Sequence, residues 1–382
     1  MHRPNRRRLL QAIPAAGLAA SFTDPLHAAS ASAAQSAVTM RISRYEVIPI
    51  KMPMHERVRE AWQRSFFLQG RRQTHYSATL VRLFTDEGLV GICNSRLSLG
   101  RTRNVLDRMI GHSPWAYLLD DSIAGILVAV YDLIGQATGL PVSRLFSAAP
   151  KERVVQTWWS QCFPPDVMAS EAKLGADLGY RVHKVKARPW EDPIEQAAAI
   201  CEVIPSDMRV WADANGWWRS PARAAFFSKR LAEFPNYFAV ESPVVPRSVE
   251  GFRQFKGKAP LMVAEHMPSD PMPFIREGLV DAFVVAGPFG RKLVQHALMA
   301  ETTGMPLWVE HSIVTGVNQV FQAHQAAAFP AIEYCISHPH VHEDDLMAEP
   351  FEMKGGFYTV PTKPGLGVTF DENAVDKYRT AG

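Results

Sequence analysis

Lys184 and Lys186 lie two residues apart in His183-Lys184-Val185-Lys186. Alternation puts both on one face of any strand that holds them. Two ammonium groups crowded on an inner face repel, so each has a depressed pKa unless anions lie near. A lysine tuned in this way is a general base at neutral pH. A surface strand with two solvated lysines would be spelled the same way. Three carboxylates follow, in Trp211-Ala212-Asp213-Ala214-Asn215-Gly216, Val240-Glu241-Ser242-Pro243 and Ala264-Glu265-His266. Ending adjacent strands they would converge, and three buried anions are untenable without a cation. Hard oxygen ligands with open positions suit Mg²⁺. The competing arrangement is three separate N-caps to the following helices, which leaves the lysine pair unexplained.

His311, in Val309-Glu310-His311-Ser312, could face Lys186 with a substrate between them, or be structural. Glu333 is read as ending the last strand, as a rim or substrate contact or else a helix salt bridge. His338, His340 and His342 alternate with Pro339 and Val341 before Glu343-Asp344-Asp345, and read as a solvated loop. Arg57, Arg59, Trp62, Arg71 and Arg72 could reach an anionic substrate, since arginine suits carboxylate recognition. A mobile charged loop is the alternative.

The elements that must position these groups repeat. Short apolar runs occur near Val154–Ser160, Val182–Ala187, Val210–Ala214, Phe238–Glu241, Leu261–Glu265, Ala282–Ala286, Leu307–His311 and Ala331–Tyr334, each followed by an amphipathic stretch. From Lys186 through Asp213, Glu241, Glu265, Ala286 and His311 to Glu333 the steps are 27, 28, 24, 21, 25 and 22 residues. That rhythm predicts an α/β fold, a parallel (β/α) barrel of TIM type over 151–345, whose C-terminal strand ends carry the polar groups. No glycine-rich phosphate loop follows the early strands, which disfavours an open doubly wound sheet. Ahead of it, 40–150 reads as a small α+β unit. Arg41 to Lys51 alternates, and Ser77 to Thr85 and Leu89 to Cys93 form a hairpin around Asp86-Glu87-Gly88. Ile123, Ile126, Ala129, Val130, Leu133 and Ile134 share a helical face ended by Gly139-Leu140-Pro141.

The 382 residues are 47% hydrophobic and 21% charged, which excludes a disordered or fibrous chain. The net charge of +3 is local: Arg3, Arg6, Arg7 and Arg8 outweigh Asp24, and the remainder holds 37 basic and 37 acidic residues. That balance argues against nucleic acid or an anionic membrane as partner. Residues 1–37 read as an export signal, with Asn5-Arg6-Arg7-Arg8-Leu9-Leu10-Gln11 similar to a twin-arginine motif. A periplasmic or exported protein is expected, with no membrane association once the leader is removed. Cys93, Cys162, Cys201 and Cys335 form no metal spacing and read as mostly buried and unpaired.

In this order and spacing the motifs over about 41–382 resemble the enolase superfamily, in its mandelate racemase and muconate-lactonizing branch. They are Lys-x-Lys at 184–186, Asp-x-Asn at 213–215, Glu-Ser-Pro at 241–243, Glu-His at 265–266 and His311. Ala129 to Gly135 looks like the helix leading into the barrel, and Pro361 to Phe370 like a tail (346–382) returning to the cap. The resemblance implies an α+β capping domain, Mg²⁺ on Asp213, Glu241 and Glu265, and a small carboxylate substrate. It also implies Lys186 as base, Lys184 beside the developing charge, Asn215 as a further contact and a homo-oligomer. The departure is on strand six: the expected acid falls near Pro288, and Ala286 stands where the muconate-lactonizing pattern has a lysine. His311 then lacks its usual partner unless Glu310 or Glu333 serves. Three readings follow: dehydration of a sugar acid with His311 as acid; a racemase, epimerase or cycloisomerase; or a periplasmic carboxylate-binding protein without turnover. Glu265-His266 also looks like the superfamily's acid-sugar dehydratases.

Overall fold

The computed structural model describes residues 39–381 apart from 68, 69, 71, 72, 288, 311 and 312. The leader, Arg71, Arg72 and His311 therefore lie outside the described residues.

The first layer is an antiparallel sheet of β1 (Ile42–Pro53), β2 (His75–Thr85) and β3 (Val90–Asn94), in that order. The expected hairpin is β2–β3, with Leu83 opposite Gly91. Between β1 and β2 the chain forms a helix, α1 (Glu56–Phe67), in place of the mobile charged loop offered as an alternative for Arg57, Arg59 and Trp62. Val58, Ala61, Trp62 and Ser65 are its buried face, at helical spacing. After α2 (Leu99–Met109), a 3-10 turn at Asp121–Ile126 leads into the wholly buried start of α3 (Leu127–Thr138). The anticipated continuous helical face is broken at Ala124, with φ 48° and ψ −127°.

Eight parallel strands then close a barrel: β4 (Arg153–Ser160), β5 (Val182–Lys186), β6 (Arg209–Asp213), β7 (Tyr237–Glu241), β8 (Met262–His266), β9 (Ala282–Ala286), β10 (Leu307–Glu310) and β11 (Ile332–Ile336). They neighbour one another in sequence order, and β11 pairs back onto β4. Helices alternate with them: α4 (Pro165–Asp177), α5 (Pro193–Val203), α6 (Pro221–Leu231), α7 (Val249–Phe255), α8 (Met272–Arg276), α9 (Gly290–Thr303) and α10 (Gly316–Ala328). Asp192, Ser220 and Ser248 cap α5, α6 and α7. The three strand-end acids do not, which removes the capping alternative. Inside the barrel Trp211, Trp308, Phe238 and Tyr334 form an aromatic cluster, with Trp211 and Trp308 ring centroids 4.7 Å apart. Lys184 pairs in register with Trp211, so this cluster is the floor beneath the lysines.

The tail carries the hairpin β12 (Met353–Lys354) and β13 (Phe357–Thr359), the latter antiparallel to β4, and ends in α11 (Glu372–Tyr378). It returns to the first layer. Asp132 on α3 accepts from the Ile92 N–H at 3.0 Å and the Leu366 N–H at 2.8 Å, so one buried carboxylate ties sheet, helix and tail together. Gly135 is needed here, because a Cβ would stand 2.7 Å from the Gly365 Cα. All four cysteines are free, three of them buried. No helix among the described residues is long and apolar enough to cross a membrane.

Candidate active site

The mouth of the barrel is built by strand register. Lys186 pairs with Asp213 and Asp213 with Glu241, while Glu265 sits one residue beyond the level of Glu241. Alternation then aims Lys184, Lys186, Asp213 and Glu241 inward, and all four are buried. Lys184 Nζ lies 3.2 Å from Asp213 and donates at 2.9 Å to both Glu241 and Glu310. Lys186 donates to Asp213 Oδ2. The solvated-strand alternative for the two lysines is thereby excluded.

The lysines part company electrostatically. Burial pulls Lys184 down, but the carboxylates of Glu241, Glu310 and Asp213 outweigh it and hold the ammonium well above its ordinary range. Burial also pulls Lys186 down; Asp213 opposes it, the Lys184 charge adds to it, and the net shift is downward. The sequence expectation was a depressed pKa unless anions lie near: Lys186 is depressed, and Lys184, ringed by three carboxylates, is the exception it allowed. Burial raises Asp213 too, yet the two ammonium groups win and it stays ionised. Burial, then repulsion from Asp213, pushes Glu241 up to about 8, and burial pushes Glu265 up to about 8.

These acids suit a hard cation. Four carboxylates (Asp213, Glu241, Glu265, Glu310) crowd two ammonium groups, and the buried Oε2 of Glu265 has no hydrogen-bond partner. Burial raises two of these acids, so a cation placed among them would favour their charged forms. Among the described residues no three His, Cys, Asp or Glu side chains are grouped as a ready-made metal site. Lysine Nζ atoms lie between the acids instead. In chemical type the three carboxylates of Asp213, Glu241 and Glu265 are the hard oxygen donors that Mg²⁺ takes.

Several expected contacts fall elsewhere. Asn215 is at the site, but its N–H donates to Asp213 at 2.9 Å and its Oδ1 accepts from Arg188 at 2.7 Å; it orients an acid. Arg57 donates to Glu171 at 2.6 Å and to the His340 carbonyl at 2.6 Å, pinning α1 to α4. Arg59 bonds the Met54 carbonyl and Glu343. Both arginines are bound structurally, which corrects their reading as substrate contacts. Trp62 is fully buried, 5.6 Å from Trp159 at the end of β4, so it helps seat α1 near the mouth. Glu333 is a correction of phase: β11 runs from Ile332 to Ile336, so Glu333 is its second residue. It is exposed at the far end of the barrel, accepting from Trp308 Nε1 at 3.3 Å. The histidine cluster is not a solvated loop, since His338 and His342 are buried and His340 stacks on Trp158 at 3.5 Å.

Three residues to which sequence reasoning gave no role here join the site, His266 having been quoted only within the Glu-His motif. Glu310, considered only as a partner for His311, bonds Lys184 directly and is held down to about 2: burial raises it, but Lys184 and His266 outweigh this. His266 Nε2 stands 3.4 Å from Glu241 and 3.6 Å from Glu310, and burial lowers its pKa. Arg188 continues the period-2 face of Lys184 and Lys186, a signal present in the sequence.

Known proteins resemble this chain in sequence and fold. The profile of the family described as Enolase C-terminal domain-like matches residues 167–374, more than half of the chain. D-gluconate dehydratase of Thermoproteus tenax is 24% identical over 283 residues, covering 68% of this chain and 56% of that protein. D-galactarolactone cycloisomerase of Agrobacterium fabrum is 26% identical over 284 residues, covering 68% of this chain and 74% of that protein. The crystal structure of the dipeptide epimerase of Enterococcus faecalis superposes with a TM-score of 0.71 at 22% identity, covering 86% of this chain and 99% of the epimerase; that likeness is one of fold. With the barrel, the appended antiparallel sheet and the matched family profile together, the chain belongs to the enolase superfamily, among the enzymes of its mandelate racemase and muconate-lactonizing branch.

Proposed function

We propose that the protein abstracts the proton α to the carboxylate of a small acid and that the reaction is dehydration of a sugar acid. The observation that carries this is the buried pair of lysines with opposite electrostatic fates. Lys186, pushed toward its neutral form, is the group able to take a proton. Lys184, fixed as a cation by three acids, is positive charge waiting where an enediolate would develop, and such charge acts on the barrier when it meets the transition state better than the ground state. Asp213, Glu241 and Glu265 would hold Mg²⁺, which when bound supplies further positive charge for the enediolate. Asn215 and Arg188 keep Asp213 oriented, and Glu310 keeps Lys184 in place. His311, next in the chain after β10, is assigned as the acid that helps a β-hydroxyl leave. The likeness to gluconate dehydratase supports this choice. A second reading, cycloisomerisation or epimerisation through the same proton transfer, draws support from the galactarolactone cycloisomerase match.

The test is incubation with Mg²⁺ and a panel of sugar acids including D-gluconate in D₂O. Dehydration predicts a 2-keto acid detectable with semicarbazide. Deuterium at C2 without keto acid selects the second reading. Binding with neither signal would mean a carboxylate-binding protein and would refute both.

A further inference from the structure

Among the described residues the last barrel strand lacks a helix of its own. β11 is followed by a 3-10 turn at Pro339–Val341 and then by the tail hairpin, and the next helix, α11, packs on β1. Between that segment and α4 a cavity of about 580 Å³ remains. Small-molecule sites run to about 300–1,000 Å³. None of Lys184, Lys186, Asp213, Glu241, Glu265 or Glu310 lines it, so it is separate from the reaction site.

The walls are short of positive charge. Three of their acids, Asp177, Glu343 and Glu352, have Lys173, Arg59 and Lys354 beside them. Asp344 and Asp345 have no ion pair among the described residues; each accepts a backbone N–H, from Leu346 at 2.8 Å and from Met347 at 3.0 Å. Arg57 also lines the cavity, but its guanidinium is spent on Glu171 and the His340 carbonyl. An independent observation concerns two histidines of the same wall. His342 is 2% exposed, its ring lies on Tyr76 at 4.5 Å, and neither of its nitrogens has a hydrogen-bond partner. His340 Nε2 meets the Trp159 carbonyl at 2.9 Å and is therefore the protonated nitrogen, since a carbonyl only accepts. Burial holds the His340 ring far below its ordinary pKa, so its unpartnered Nδ1 is a bare lone pair. Burial likewise takes His342 down to about 3, which leaves one lone pair there too. Buried acceptors without a donor are costly, and an N–H brought by a ligand would satisfy them. Trp158, Tyr180 and Phe351 complete the walls, and aromatic faces attract cations.

We propose that this cavity binds a small organic cation with N–H donors, an alkylammonium held by Asp344 and Asp345, by the imidazole lone pairs and by the aromatic walls. Two carboxylates without a cation disfavour an anion. A neutral polyol would leave their charge unanswered, whereas an ammonium gives them charge-assisted hydrogen bonds.

The test titrates 1,4-diaminobutane calorimetrically into the Mg²⁺-loaded full chain, with 1,4-butanediol as the neutral counterpart. It is run at pH 8, above the value of about 6 to which burial raises Asp345. The expected result is the diamine binding about tenfold or more tightly than the diol, as befits one charge-assisted contact. Asp345→Asn keeps an acceptor for the Met347 N–H, and His342→Phe keeps a ring on Tyr76, so both variants should fold. Each should weaken the diamine by about fivefold or more. Glu265→Gln, at the barrel mouth, should leave its affinity unchanged. Equal affinity for the two probes, a preference for the diol, binding that survives both cavity substitutions, binding lost in Glu265→Gln, or no diamine binding at millimolar concentration would overturn the site. The proposed α-proton chemistry stands or falls separately, since none of these readouts measures it.

Discussion

At the scale of single residues, the account divides labour between two lysines that the sequence could only describe as equals. Alternation told that both share a face. It could not tell that three carboxylates reach Lys184 while Lys186 faces mainly Asp213, because that depends on register across four strands. Lys186→Ala should lower α-proton exchange by about 10²–10⁴-fold, the usual worth of a general base, with circular dichroism unchanged. Full exchange in that variant would take the base role from Lys186. Glu310→Gln should slow exchange by roughly 10–100-fold through misplacement of Lys184. Its urea midpoint should fall, because Lys184 and His266 hold the Glu310 carboxylate in its charged form and Lys184 loses a buried partner. Unchanged rates would mean that Glu241 and Asp213 position Lys184 unaided. The inward aim of Glu310 was legible in principle, since it alternates with Trp308 of the barrel floor, but the weight went to His311.

At the scale of elements, the rhythm of about 25 residues found all eight barrel strands because every strand must be followed by a helix that covers it. It also gave the ends of four strands at Lys186, Asp213, Glu241 and Ala286, and failed at the last one. Ile332–Ile336 extends two residues past Tyr334, which moves Glu333 from the mouth to the far end. The helix α1 was missed although Val58, Ala61, Trp62 and Ser65 carry its spacing, because its arginines drew a functional reading. Those arginines fasten it. Arg57 meets a buried Glu171, and Arg64 meets Glu191 at 3.0 Å in the loop after β5. Arg57→Ala strands the Glu171 carboxylate, which is only 3% exposed, and should cost about 3–5 kcal/mol in urea unfolding. The double variant with Glu171→Leu should recover most of that loss. A cost within 0.5 kcal/mol, the range of an ordinary surface change, would mean that α1 is not held there.

For the whole molecule, the concentration of buried acid sets the pH response. Glu241 and Glu265 protonate near 8 when folded against an ordinary 4.5, so the folded chain carries more protons between those values. Buried histidines held neutral pull the other way below about pH 7, so stability of the metal-free protein should fall from pH 7 to 8.5, by about 1 kcal/mol or more. Mg²⁺ should flatten the slope by replacing protons with cationic charge. Urea midpoints across pH, with EDTA and with Mg²⁺, check this; parallel curves would contradict it. Export is a separate proposal resting on Arg6-Arg7, and fusing residues 1–37 to a reporter, with an Arg6→Lys and Arg7→Lys control, tests it. What the sequence could not supply at this scale is the mutual neutralisation of acids and lysines, a property of the closed barrel rather than of any segment. The central claim, that Asp213, Glu241 and Glu265 hold one divalent cation opposite the lysine pair, is met most directly by titrating Mg²⁺ calorimetrically into the metal-free protein and its Glu241→Gln variant. The account predicts a single site in the wild type, weakened by about tenfold or more in the variant as a charged ligand is lost. Equal affinity in the two proteins, or no site in the wild type, would contradict it.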